Sequence, residues 1–304
     1  MRRRLAAVLV APLLLAACSG QAGIGVQVAG PFGERPTVTF PKAGPGAAYV
    51  AETLVDGKGA QVHKGDLVIA DYTGYTWGAT ANRLIGTSYA GGAPSAFPSW
   101  QLIPGLERAV TGSKVGSRVV AVIPPKDGYG VKGAPELQIG GSDSLVYVLD
   151  VRGAYPASSS VRGQAVPLND PHLPQVGTAG PGQAPQVTVP HVAAPATLQV
   201  RQLIKGAGQP VRSGQVLAIQ YSGYIWRTGQ VFDSSWTNGH VFSTVIGRKQ
   251  VVDGWDQGLI GQPVGSRVLL VIPPSAGYGT NGLQQVGIKG DDTLVYVVDI
   301  LGAY

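Results

Sequence analysis

The chain has 304 residues, a formal net charge of +6 and only 13% charged side chains, beside 45 glycines and 23 prolines. Cys18 is the one cysteine, which excludes an intrachain disulfide, a cysteine-rich zinc site and thiol catalysis supported by a second thiol. Positive charge is modest and scattered, so no nucleic acid partner is expected. The four histidines, His63, His172, His191 and His240, show neither metal-ligand spacing nor triad partners, so no metal and no cofactor is expected.

At the start, Arg2-Arg3-Arg4 precede an apolar stretch from Leu5 to Leu15 and then small residues leading to Cys18. That pattern is a secretory leader, too short for an ordinary membrane-spanning helix. Leu15-Ala16-Ala17-Cys18 resembles the bacterial lipobox, so residues 1–18 are expected to be a lipoprotein signal peptide and Cys18 the lipidation site. The implied location is the extracytoplasmic face of the cell membrane, held by a lipid anchor. Removing the leader takes three of the 23 basic residues against 17 acidic ones and leaves +3. Residues 19–35 lack hydrophobic periodicity and read as a tether.

Residues 36–155 and 185–304 align at a constant offset of 149, with about a third of the 120 positions identical. Val115-Gly116-Ser117-Arg118-Val119 falls on Val264-Gly265-Ser266-Arg267-Val268, and Gly153-Ala154-Tyr155 on Gly302-Ala303-Tyr304. A unit of this length is a domain rather than a solenoid repeat. Between the copies, residues 156–184 are rich in Pro, Gly and Ser and read as a linker, with a mean span of about 30 Å if flexible. The domains would then be independently mobile unless they dock.

In the second copy, Val216–Tyr221, Val268–Ile272 and Leu294–Leu301 read as strands, and Val252, Trp255 and Leu259 have helical spacing in a short helix. Strands with one small helix predict an α+β domain, an antiparallel sheet wrapped over one short helix. Asp291-Asp292 reads as a solvated loop.

The ordered set Gln220-Tyr221-Ser222-Gly223, Phe232-Asp233-Ser234-Ser235, Val251-Val252-Asp253-Gly254-Trp255, Ile272-Pro273-Pro274, Gly277-Tyr278-Gly279 and Leu294-Val295-Tyr296 resembles the FKBP-type peptidyl-prolyl cis-trans isomerases. The likeness covers residues 199–304. It implies two tandem FKBP-like domains, 185–304 intact and 36–155 degenerate. It also implies an aromatic pocket for a proline ring, walled by Tyr221, Phe232, Phe242, Tyr278 and Tyr296 with Trp255 as floor. Val251 and Val252 would be the apolar pair before the helix, with the Val252 N–H holding a ligand carbonyl. Asp233 would be the buried carboxylate, the Tyr278 hydroxyl a donor, and Ile288 a pocket isoleucine. The departure Lys289-Gly290-Asp291-Asp292 affects which ligands fit above the pocket.

The chemistry suits those residue types. A peptide bond resists rotation by about 18–20 kcal/mol, yet X-Pro bonds populate both isomers and exchange slowly. Speeding that exchange needs a dry apolar grip and a few fixed dipoles, with no nucleophile or metal. Expected partners are unfolded or newly exported proline-containing polypeptides; the resemblance also admits macrolides such as rapamycin. The rival reading is a non-catalytic chaperone that uses both domains to bind clients.

The first copy keeps Tyr72, Tyr129 and Tyr147. Leu106 stands in place of Trp255 and Pro104 in place of Asp253. Opposite Phe232–Ser235 stand Arg83–Gly86 or, shifted by two, Ile85–Ser88, and neither register supplies a carboxylate. Leu106 removes the pocket floor, and Phe97 or Trp100 is expected to refill some of the space. This domain is expected to have weak or no isomerase activity.

Overall fold

The computed structural model describes residues 25–78, 82–180 and 182–304, so the expected leader and the expected lipidation site Cys18 lie outside the described residues. A short hairpin, β1 (Gln27–Ala29) and β2 (Thr37–Thr39), opens the described chain. The first domain's sheet follows from β3 (Val50–Val55), β4 (Leu67–Trp77), β5 (Asn82–Thr87) and β6 (Ser95–Pro98). After helix α1 (Pro104–Val110), β7 (Arg118–Ile123) and β8 (Ser144–Tyr155) complete it. The strand order is β3-β7-β8-β4-β5, all antiparallel, with β6 also paired to β4.

Two-residue strands β9 (Gln164–Ala165) and β10 (Gln175–Val176) occupy the region between the repeats, and β11 (Val187–Thr188), at the start of the second repeat, pairs with β10. The second domain carries β12 (Gln199–Lys205), β13 (Val216–Ile225), β14 (Val231–Ser234), the single-turn α2 (Ser235–Asn238) and β15 (Phe242–Val245). It ends with α3 (Asp253–Leu259), β16 (Arg267–Ile272) and β17 (Leu294–Ala303). Its order, β14-β13-β17-β16-β12, repeats the first domain's topology, β9 adds to the β12 edge, and β15 pairs with β13. The α+β architecture expected from the sequence is present twice, and the helix expected near 252–260 runs from Asp253 to Leu259.

Side chains alternate across each strand, so β16 sends Val268, Leu270 and Ile272 to one face and Leu269 and Val271 to the other. The first set packs with Leu259 and Trp255 of α3 in the main core. The second set is equally apolar, and something must cover it. Leu173, with Leu168 and Val176 partly buried beside it, lies over Leu269, Val271, Val295, Val297 and Trp226. In the first domain Val26 and Val28 cover Trp77, Val120, Val122, Val146 and Val148.

These contacts correct two sequence-based expectations. The 156–184 segment is not a free linker, and residues 26–35 are not a free tether: each is the outer layer of the domain that follows it. Buried ion pairs fasten both layers. Asp150 holds Arg118 at 2.6 Å through Nε and also accepts the Gly33 N–H, while Arg118 donates to the carbonyls of Gly30 and Glu34. In the second copy Asp299 holds Arg267 at 2.6 Å and accepts the Val161 N–H at 3.0 Å.

The domains dock. Leu67 and Ile69 pack with Val216, Ala218 and Val241 in one apolar cluster, bordered by Tyr155 and Tyr304. The two tyrosine hydroxyls hydrogen-bond across the junction. A Cβ on Gly153 would overlap the Tyr304 hydroxyl, and one on Gly302 would overlap that of Tyr155. Gly153 and Gly302, like Tyr155 and Tyr304, are related by the repeat offset of 149, so the same patch of each copy meets the other, as in a two-fold dimer.

Candidate functional site

One cavity of about 250 Å³ opens beside α3 in the second domain. Tyr221, Phe232, Asp233, Phe242, Gln250, Val251, Val252, Trp255, Tyr278 and Tyr296 line it. Nine of those ten were expected from the sequence. Gln250 was not, and it anchors the rim by accepting the Val245 N–H at 3.1 Å. Ile288 is fully buried in the adjoining core rather than on the cavity wall, which corrects its expected pocket role.

Central strands supply the walls: Tyr221 lies on β13 and Tyr296 on β17, both inward-facing. Trp255, in the second position after the start of α3, is 3% exposed and forms the base. Its ring stands edge-on to Tyr221 and Tyr296, each with centroids 5.2 Å away. Phe232 meets Tyr296 edge-on at 5.5 Å, and Phe242 meets Tyr221 at 5.5 Å. Such contacts each add about 0.5–1.5 kcal/mol beyond area burial. They also fix ring positions, which a shape-selective pocket requires.

Gly223 makes this packing feasible. A Cβ there would lie 2.6 Å from the Phe232 ring and 2.8 Å from that of Tyr296. No side chain fits between those rings and β13.

Asp233 is partly buried at the end of β14, and both its oxygens are engaged. The Tyr221 hydroxyl donates to Oδ2, and the Asn238 side-chain amide donates to Oδ1 at 3.0 Å. Asn238 escaped the sequence reading. Its position five residues on, at the end of the single turn α2, was the available signal. Burial and then the bond to Asp233 push the Tyr221 phenol far above its ordinary value. Burial, with Tyr278 beside it, does the same for Tyr296. Both stay protonated, so the cavity offers neutral hydroxyls around one carboxylate.

Asp292 differs from expectation. It is buried, paired to Arg227 at 2.8 and 2.9 Å, and accepts the Lys289 N–H. Burial alone would raise its pKa, but the Arg227 and Lys289 bonds prevail and hold it below the usual carboxylate value. Asp292 is therefore a loop clasp, while Asp291 beside it is exposed.

The first domain resolves the register question in favour of the shift by two. Gly74 pairs with Gly86 as Gly223 pairs with Asp233. Ser88 Oγ accepts the Tyr72 N–H as Ser235 Oγ accepts that of Tyr221. Gly86 thus stands where the second copy has Asp233, and a Cβ there would lie 2.9 Å from the Tyr72 hydroxyl. Leu106 takes the helix position of Trp255, and Phe97 packs edge-on against Tyr72 at 5.5 Å. Phe97 is therefore the residue that refills the space. Trp100 instead reaches the other domain and lies against His240, with ring centroids 4.5 Å apart.

A family profile for FKBP-type peptidyl-prolyl cis-trans isomerase matches residues 58–152 and again 207–301. An FK506-binding protein of Streptomyces anulatus is 35% identical over 119 residues, covering 39% of this chain and 96% of that protein. The peptidyl-prolyl cis-trans isomerase FKBP9 of Rattus norvegicus is 30% identical over 200 residues, 66% of this chain and 28% of that longer protein. A crystal structure of three FKBP domains of wheat FKBP73 aligns over 84% of this chain and 94% of that one, at 19% identity and a TM-score of 0.34. With two matched domains spanning most of its length, the chain belongs to the FKBP-type peptidyl-prolyl cis-trans isomerases.

Proposed function

We propose that isomerase activity resides in the second domain, and that its substrates are X-Pro bonds of exported polypeptides. The observation that carries this reading is the contrast between copies. Asp233 and the Trp255 base lie in the second domain's cavity, whereas Gly86 and Leu106 stand at those places in the first.

A proline ring entering the cavity would rest on Trp255 between Tyr221, Phe232 and Tyr296. Water is displaced around the amide, which removes solvation from the polar planar form and lowers the relative cost of the twisted one. Asp233, fixed by Tyr221 and Asn238, supplies an oriented dipole near the rotating carbonyl. The Val252 N–H and the Tyr278 hydroxyl are the donors assigned to the substrate's other carbonyls. Preorganised dipoles of this kind stabilise a transition state without reorganising. The same apolar volume supports binding of macrolides such as rapamycin.

The leader and Cys18 support a lipid-anchored protein on the outer face of the cell membrane. A Cys18→Ala change should shift the protein from the membrane to the soluble fraction; persistence in the membrane fraction would refute the anchor.

The docked first domain keeps Tyr72, Tyr129 and Tyr147 around Phe97, which favours the second reading, a client-binding contribution without catalysis. Proline-limited refolding of a client protein, with aggregation followed in parallel, separates the two. An Asp233→Ala chain should lose catalysis of the slow refolding phase while still suppressing aggregation. Equal refolding catalysis by variant and parent would remove Asp233 from the mechanism.

A further inference from the structure

The segment from Asn238 to Val245 serves the cavity and the interdomain junction by turns. Asn238 holds Asp233 Oδ1 at 3.0 Å. His240 lies against Trp100 of the first domain, and its Nδ1 donates to the Asn238 carbonyl at 2.7 Å. A carbonyl only accepts, so that ring nitrogen carries its proton. Val241 is 1% exposed, buried in the cluster with Leu67 and Ile69, against which Ala93 and Ala96 also pack. Phe242, the next residue, is a cavity wall set edge-on to Tyr221 and Trp255. Val245 returns to the junction.

Within its own domain this segment is held by pairing to β13, by the Val245 N–H bond to Gln250, by the His240 N–H bond to the Ser235 carbonyl and by the Phe242 ring contacts. Strand β15 has four residues and pairs only with β13, and it follows a single-turn helix closed by Gly239 in the left-handed region. Phe242 remains 37% exposed. Short edge strands of this kind open at low free-energy cost unless packing restrains them. Here the other domain adds to that packing, through Leu67 and Ile69 against Val241 and Val245 and through the Trp100–His240 contact.

We propose that the first domain positions the proline pocket of the second, with Trp100 as a positioning residue that acts through His240, Asn238 and the Val241–Phe242 step. This deepens the reading of the second domain as the isomerase and rests on it. The degenerate copy is then retained as part of the catalytic unit's scaffold. Its own pocket need not turn over substrate for that role.

The test uses the full chain and two changes confined to the first domain. Trp100→Ala removes the contact to His240, and Ala96→Lys puts a charge into the junction. Amide hydrogen exchange across 238–245 should quicken about tenfold or more in both, since the restraint on a marginal strand is lost. With a Phe-Pro tetrapeptide, kcat/KM should fall about tenfold, carried mainly by a rise in KM, because a wall of the binding cavity has loosened. Trp100→Phe should restore most of both readouts.

Unchanged exchange at 238–245 and unchanged KM, with only a lower melting temperature, would overturn the proposal and leave Trp100 as a structural contact. If the parent chain does not isomerise the peptide, the functional reading fails on its own. The exchange result then still decides whether the first domain restrains this segment.

Discussion

At the residue scale, Asp233 and Trp255 divide the site's work between polarity and shape. Removing the carboxylate with Asp233→Ala leaves the Tyr221 hydroxyl and Asn238 amide without their shared acceptor. Loss of one preorganised group of this type costs on the order of 10²-fold in rate, and a peptide isomerisation assay should show it in kcat. Trp255→Leu copies the first domain's Leu106 without the compensating Phe97. It should cost about 2–4 kcal/mol in denaturant unfolding, through the cavity left under Tyr221 and Tyr296, together with most of the activity. The reciprocal change, Gly86→Asp, should not confer activity on the first domain. The Tyr72 hydroxyl already occupies the approach to that position, and the base there is Leu106 with Phe97. Turnover by a Gly86→Asp chain carrying Asp233→Ala in its second site that exceeds the residual turnover of Asp233→Ala alone would contradict this account.

At the element scale, the strands and the short helix were legible because period-two and helical spacing survive in β16, β17 and α3. The pocket aromatics were legible because the resemblance assigns Tyr221 to β13, Phe232 to β14, Trp255 to α3 and Tyr296 to β17 in a fixed order. The outer layers were not. Their Pro- and Gly-rich composition looks like linker, and the signal lay instead in the strands they cover. Leu269, Val271, Val295 and Val297 leave β16 and β17 apolar on both faces, which a sheet with one wet side does not show. Arg267 and Asp299, repeated as Arg118 and Asp150, marked the anchor points. Asp299→Asn should destabilise the second domain by about 3–5 kcal/mol, since it strands a buried guanidinium and weakens the acceptor for Val161. Replacing both partners with apolar residues of similar size should cost far less. Denaturant unfolding distinguishes these outcomes.

The Asp292 clasp gives a pH signature at the same scale. Its folded pKa lies below the ordinary 3.8, so its contribution is complete above that value and is lost as pH falls through the folded value. Asp292→Asn should therefore lower the melting temperature near neutral pH, and the difference from the parent should shrink as pH falls below 3.8 and through the lowered folded value. A difference that persists in acid would point to packing rather than charge.

At the scale of the whole molecule, the offset of 149 recurs in space as well as in sequence. Gly153 faces Tyr304 and Gly302 faces Tyr155, so the repeats meet through matching surfaces. The repeat showed that there were two domains. It could not show that they dock, because the Leu67, Ile69, Val216 and Val241 cluster reads in one dimension as ordinary strand and loop residues. The copies differ at the pocket, with a carboxylate and an indole in one and a glycine and a leucine in the other, and the proposed division of labour rests on that contrast. Paired changes at equivalent positions test that division most directly. Isomerisation of a Phe-Pro peptide should be measured for the full chain, for Tyr278→Ala, and for Tyr129→Ala at the matching place in the first domain. The account predicts that Tyr278→Ala loses most of kcat/KM while Tyr129→Ala retains the parent rate. Comparable losses in the two variants, or a loss confined to Tyr129→Ala, would contradict it.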